Sequence, residues 1–266
     1  MATLASAASG VRRDDRFFLI SAWVMAAVVV AGFSLQFAAG RSTFRAPALL
    51  HVHAVVFMGW VAIYVAQAAL AATGQRAMHR LLGWIAAFWV AAMVVLGMAV
   101  TVAMARRGMT PFFFQPAYFL VMNPVSVLSF AGLTLAAIVL RRRTAWHRRL
   151  HFCGLAILLG PALGRLIPLP LLIPYAPYAV FAAVMLFPVA GIAADLRRVG
   201  RIHPAWWWGM GAMMAMQIAI DLIAFSPAGP AIHRAVTAGT PGAALAPLDF
   251  PPPPPGVLIT GGGASI

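Results

Sequence analysis

The sequence predicts an all-α fold, a polytopic transmembrane bundle of about seven helices, and three observations carry that prediction. Of the 266 residues, 63% are hydrophobic and only 9% are charged. Soluble chains are about a quarter charged, so most of this one has no aqueous surface to occupy. The apolar residues fall in long runs of the ~20 residues that a helix needs to cross ~30 Å of hydrocarbon. These runs lack the alternation of membrane-barrel strands, and short arginine-bearing stretches separate them.

Taken in order, residues 1–16 are small and polar and end in Arg12, Arg13, Asp14, Asp15 and Arg16. They read as a cytoplasmic segment. The first apolar run, 17–39, follows basic residues and leads to Ala38, Ala39 and Gly40, as a signal peptide would. It is longer than a usual signal core and six more runs follow, so it reads as a retained helix. The further runs lie at about 47–72, 81–105, 117–140, 150–171, 173–194 and 205–225, which makes 17–226 a transmembrane domain. Aromatic residues gather at several ends: Phe112 to Phe114, Tyr175 and Tyr178, and Trp206 to Trp208, as in interfacial belts. The fifth run carries Gly160 and Gly164 at GxxxG spacing, with Pro161, Pro168 and Pro170. It should pack closely on a neighbour and break near its end. Residues 227–266 are rich in Pro, Gly and Ala, with five prolines at 251–255, and are expected to be a disordered or polyproline-like tail.

The net charge of +14 comes from 19 arginines against five aspartates. The arginines sit in the short loops between runs, a pattern of cytoplasmic loops beside anionic lipid and not of a nucleic-acid face. Thirteen fall on the side of the N-terminus and five on the other, with Arg165 inside a run. That asymmetry predicts a cytoplasmic N-terminus and a periplasmic C-terminus. The single cysteine, Cys153, excludes an intrachain disulfide and a multi-cysteine metal site. The phosphate-binding and zinc-protease motifs of soluble enzymes are absent, as is a carboxylate pair.

Ionisable residues inside a membrane are costly, which makes them the candidates for function. With the predicted orientation they fall in two layers. The cytoplasmic layer holds His79, Arg80, His147, His151 and, at its edge, His203. His79 and Arg80 open the third run and His147 and Arg148 open the fifth, 68 residues apart, which suggests two helical hairpins in duplication. His147 and His151 share a helix face at i, i+4. Imidazole ligates haem iron and divalent metals, and His79 and His151 have the equal depth that two axial ligands require. The bland alternative is that these rings sit among headgroups. The outer layer holds His51, His53, Asn123, Arg165 and Asp221. There Arg165 and Asp221 at one depth offset each other's desolvation, either as a structural pair or as the floor of an outward pocket. Gln67 and Gln217 are explained by interhelical hydrogen bonds.

The segments LHVHAVVFMGWVAIYVAQAAL, GQRAMHRLLGW and TAWHRRLHFCGLAILLGPALGR together resemble a group of multi-pass bacterial inner-membrane proteins to which no activity is assigned. The resemblance covers roughly 45–170 and singles out His51, Trp60, Gln67, His79, Arg80, Gly83, His147, Pro161 and Arg165. It implies a bacterial inner-membrane location, with the lipid bilayer as the protein's setting. A looser resemblance is to membrane b-type cytochromes. The four-helix, two-haem version of that pattern pairs histidines across one bilayer on the same helix. Here Gln67 and Arg165 stand where the second histidines would, so the resemblance implies at most one haem b, on the cytoplasmic side. Two functions follow. One is a redox- or haem-associated membrane protein using His79, His147, His151 and Arg80. The other is a non-enzymatic transporter or small-molecule-binding protein using the outer Arg, Asp and His residues, and a membrane scaffold is a third.

Overall fold

The computed structural model describes residues 2–42 and 44–253, with side chains from Asp14 onward. The described helices are α1 (Ala2–Ala38), α2 (Ala48–Ala72), α3 (Arg76–Arg106), α4 (Pro116–Val139), α5 (Thr144–Leu158), α6 (Gly160–Leu166), α7 (Ala176–Val199), α8 (Pro204–Ala224) and α9 (Ala228–Thr237). Six of them are long and apolar enough to cross a membrane: α1 from Asp14, α2, α3, α4, α7 and α8. The protein is therefore a multi-pass, all-helical membrane bundle.

The fifth apolar run is the exception, because it forms two helices, α5 and α6, parted at Leu159. Pro161 accounts for the break. It has no N–H to donate to the Ile157 carbonyl and its ring crowds that carbonyl. One turn of tighter geometry results, in which the Leu159 N–H donates to the Ala156 carbonyl at 3.0 Å. Thr144 to Leu166 still runs ~34 Å, enough to reach across the hydrocarbon.

α5 is the centre of the bundle. Arg149, Leu150 and every residue from Phe152 to Ile157 are buried, so all faces of the helix are covered. It packs on α4, α7 and α8. α2 is its opposite: only Trp60 and Val65 are buried, while Val52 and Val55 are exposed. Apolar residues on an outer face are what a lipid-facing helix requires.

Two expectations are corrected here. Gly160 and Gly164 were to mark a close helix contact, yet their faces meet only the Val180 side chain at 3.7 Å, an ordinary contact, and for Gly164 also Leu169. The close approach belongs to Ala162, whose carbonyl lies against Gly32 of α1 with no room for a Cβ. Ala162 is two residues from each glycine and so on the opposite side of the helix. The tail is the second correction. Residues 228–244 form α9 and the 3-10 turn Pro241–Ala244, which dock on the ends of α3, α4 and α8. The glycines here permit packing and do not produce disorder. Gly242 sits directly on the Ala105 carbonyl, the Pro247 carbonyl accepts from the Ala117 N–H at 2.8 Å, and the Gln115 amide donates to the Leu248 carbonyl. His233 and Thr237 are buried. Residues 254–266, including the last two prolines of the run, lie outside the described residues.

Candidate functional site

α3 and α5 begin alike. Each follows a short turn from the helix before it and carries a histidine as its fourth residue and an arginine as its fifth. In each, the imidazole Nδ1 meets a carbonyl near the end of the preceding helix. His79 meets Gln67 of α2 at 3.3 Å and His147 meets Ala137 of α4 at 2.8 Å. A carbonyl oxygen only accepts, so each Nδ1 carries the proton and donates it. Each Nε2 is then left with its lone pair free, the tautomer in which a second-shell carbonyl holds a ligating imidazole. The shared position is what the two-hairpin pattern implies.

The three rings form a chain. The centres of His79 and His147 are 6.2 Å apart with the planes at 77°, and those of His147 and His151 are 4.7 Å apart at 86°. The sequence pairs His79 with His151, but in the bundle the ring that reaches His79 is His147. One turn along α5, His151 continues the chain as a half-buried ring. Arg80 is exposed and stands outside the cluster. No group of three or more His, Cys, Asp or Glu is placed to hold a metal ion among the described residues, so ligation here would rest on two imidazoles.

The surroundings are unusual for a membrane interior. α3 and α5 both pack along α4 and approach each other at the His79 and His147 rings, and α2 packs on α3. Along this side lie buried polar atoms with no partner in the protein: Trp60 Nε1, Gln67 Oε1 and His53 Nδ1 on α2, and Thr134 Oγ1 on α4. Tyr64, on the same face of α2 as Trp60, is enclosed by protein near Cys153 yet keeps accessible surface. Native proteins pair more than nine in ten such buried groups, so each of these exceptions calls for an explanation.

The outer layer does not assemble as one pocket. Arg165 lies over the Phe33 ring at 4.3 Å and donates to the Pro161 carbonyl at 2.8 Å. Asp221 instead accepts from Gln217 at 3.0 Å and from Tyr178 at 3.4 Å. The two charges thus find separate partners, because α1 stands against α6 while Tyr178 of α7 stands against α8. Asn123 donates to the Phe119 carbonyl of its own helix at 2.8 Å, and His51 Nε2 contacts the Phe44 carbonyl at 3.1 Å. Only His53 turns inward, stacked on Phe57 at 4.1 Å.

A second polar centre went unsuspected in the sequence. Asp195 of α7 is fully buried and accepts from Arg149 Nε at 2.9 Å, Arg149 Nη2 at 2.7 Å, Arg198 at 2.9 Å, Trp206 Nε1 at 2.8 Å and the His203 N–H at 3.4 Å. Arg198 also pairs with Asp14, and Arg148 with Asp15 at 2.8 Å. The i, i+3 spacing of Asp195 and Arg198 was a readable signal, hidden by neighbouring arginines that look like a headgroup contact. Gly191 makes the seat for the Trp206 ring, since a Cβ there would fall on it.

Searches against protein-family models, curated proteins and solved structures return no match for this chain.

Proposed function

We propose that this membrane protein is redox-associated and holds one metal centre between His79 and His147, with the iron of a haem b as the first candidate. The observation that carries the reading is the ring geometry. Two imidazoles bound trans to one ion, at ~2.0–2.1 Å per metal–nitrogen bond, place their ring centres roughly 6 Å apart, and here the separation is 6.2 Å. Both Nδ1 atoms are already anchored on carbonyls, which leaves the two Nε2 atoms as the ligating pair. His79 and His147 would hold the iron, and Tyr64, Gln67 and His151 would border the group. A haem iron would supply one-electron chemistry.

The arginine asymmetry supports placing this end of the bundle on the cytoplasmic side of a bacterial inner membrane. A reporter fused after residue 200 should then read cytoplasm, and a periplasmic signal would reverse the assignment. The central test is the purified protein's visible spectrum and metal content. Wild type should show a Soret band, or one equivalent of bound metal without one if the ion is bare. His79→Ala and His147→Ala should each abolish that signal, while His151→Ala should retain it. A wild type with neither band nor metal, or histidine variants that keep both, would remove the proposal.

A further inference from the structure

We infer that the inward face of α2 carries a file of bound water through the bundle, from His53 at the Arg165 end to the histidines at the other. The inference does not depend on a metal being bound.

His53, Trp60 and Gln67 are spaced seven apart. Seven residues are two helical turns less about 20°, so the three side chains share one face and succeed each other at ~10.5 Å. Each presents a buried polar atom with no partner in the protein: Nδ1 of His53, Nε1 of Trp60 and Oε1 of Gln67. Trp60 is only 3% exposed, and on the facing helix Thr134, at 2%, adds an unpartnered hydroxyl. Trp60 packs against Phe130, one turn from Thr134, with ring centres at 5.1 Å. The file therefore has polar atoms on both of its walls.

Its two ends are chemically defined. At one, His53 lies within electrostatic reach of Arg165, and Gln36 of α1, which donates to the Arg165 carbonyl at 3.5 Å, keeps a buried unpartnered oxygen. At the other, Gln67 lends its carbonyl to His79, and His147 and His151 continue the chain of rings.

Direct hydrogen bonds do not span ~10 Å, so the groups are not bonded to each other. Each stranded donor or acceptor costs of order 1–3 kcal/mol if left dry. Water removes that cost, because a polar site needs only two to four partners to hold one molecule. Further waters linking these sites along the helix face complete the file. A ligand with apolar bulk would leave the separated polar atoms unpaired. The file gives the enclosed imidazoles access to exchangeable protons.

Trp206 supplies an internal control. It is as deeply buried as Trp60, but its Nε1 donates to Asp195 at 2.8 Å and needs no water. Microsecond X-ray radiolysis of the full chain in detergent generates hydroxyl radicals from water wherever it lies, and the labelled sites are read by mass spectrometry. Trp60 should be oxidised several-fold faster than Trp206. Equal and slow rates for the two would overturn the inference. Radiolysis of His79→Ala, which abolishes the proposed metal centre, should still label Trp60. This separates failure of the metal reading from failure of the water file.

Discussion

The two sides of α5 handle buried polarity in opposite ways. Toward α7 and α8 the buried carboxylate is answered: Asp195 receives five donors and Trp206 Nε1 is one of them. Toward α2, α3 and α4, Trp60 Nε1, Thr134 Oγ1 and Gln67 Oε1 are all unanswered. The same residue type, tryptophan, is equally buried on both sides and bonded on only one. In a medium without water a satisfied network rigidifies and specifies one packing, while unsatisfied groups are retained only where they bind something. The first side reads as the frame of the molecule and the second as its working part.

The largest test of that division is Asp195→Ala. It strands Arg149, which is 3% exposed, and removal of one member of a buried ion pair costs about 3–5 kcal/mol. Unfolding in detergent should show a loss of that order. A loss under about 1 kcal/mol would mean that the arginine re-solvates and the frame is not rigid.

A smaller effect separates two glycines. Gly191→Ala pushes a methyl group onto the Trp206 ring and should cost about 1–3 kcal/mol as overpacking. Gly154→Ala, on the α4 side, meets Thr134, Phe130 and Leu133 at 3.4–3.7 Å. That strain is small and is offset by a helix-propensity gain of up to about 1 kcal/mol. Equal shifts in thermal midpoint for the two would erase the contrast between a tight and a loose side.

The smallest effect concerns His233, outside the spanning helices. Burial holds its pKa below the ordinary 6.5, and Arg234 adds to the shift. Above about pH 6.5 the ring is neutral both docked and free, so the contact is unaffected. As pH falls below that value the undocked ring takes up a proton that the docked ring resists, so acid favours release. Relative to the intrinsic rate, which itself falls with pH, hydrogen exchange of the Ala117 amide, which donates to Pro247, should accelerate between pH 7 and pH 5. In His233→Phe the acceleration should vanish.

The bundle was legible because its cause is one-dimensional: a run of apolar residues must become a helix in lipid. A disruption of the fifth run was legible for a similarly local reason, the prolines' missing N–H groups, although it was expected near the end of the run and the break falls at Leu159, near its middle. The site was legible only in part. His79 and His151 could be placed at one depth by counting residues, but which ring meets which depends on the rotation of α5 about its axis. That rotation is set by the contacts of Arg149 and Phe152 on the far side. Arg165 and Asp221 misled for the same reason, since equal depth says nothing of azimuth. The tail misled because composition cannot distinguish a glycine that loosens a chain from one, like Gly242, that lets it press against a carbonyl.

Gly242 and Pro247 also bear on the order in which the protein is completed. Both grip the α3–α4 connection, Gly242 at Ala105 and Pro247 at Ala117, yet a ribosome makes them more than a hundred residues later. Chains fold from the N-terminal end as they emerge, so the hairpins tied by His79 and His147 close early. The rim they share stays open until the last span has been inserted and residues 228–247 fold back over it. Until then Gly108 lacks the cover that Pro241 and Gly242 later supply.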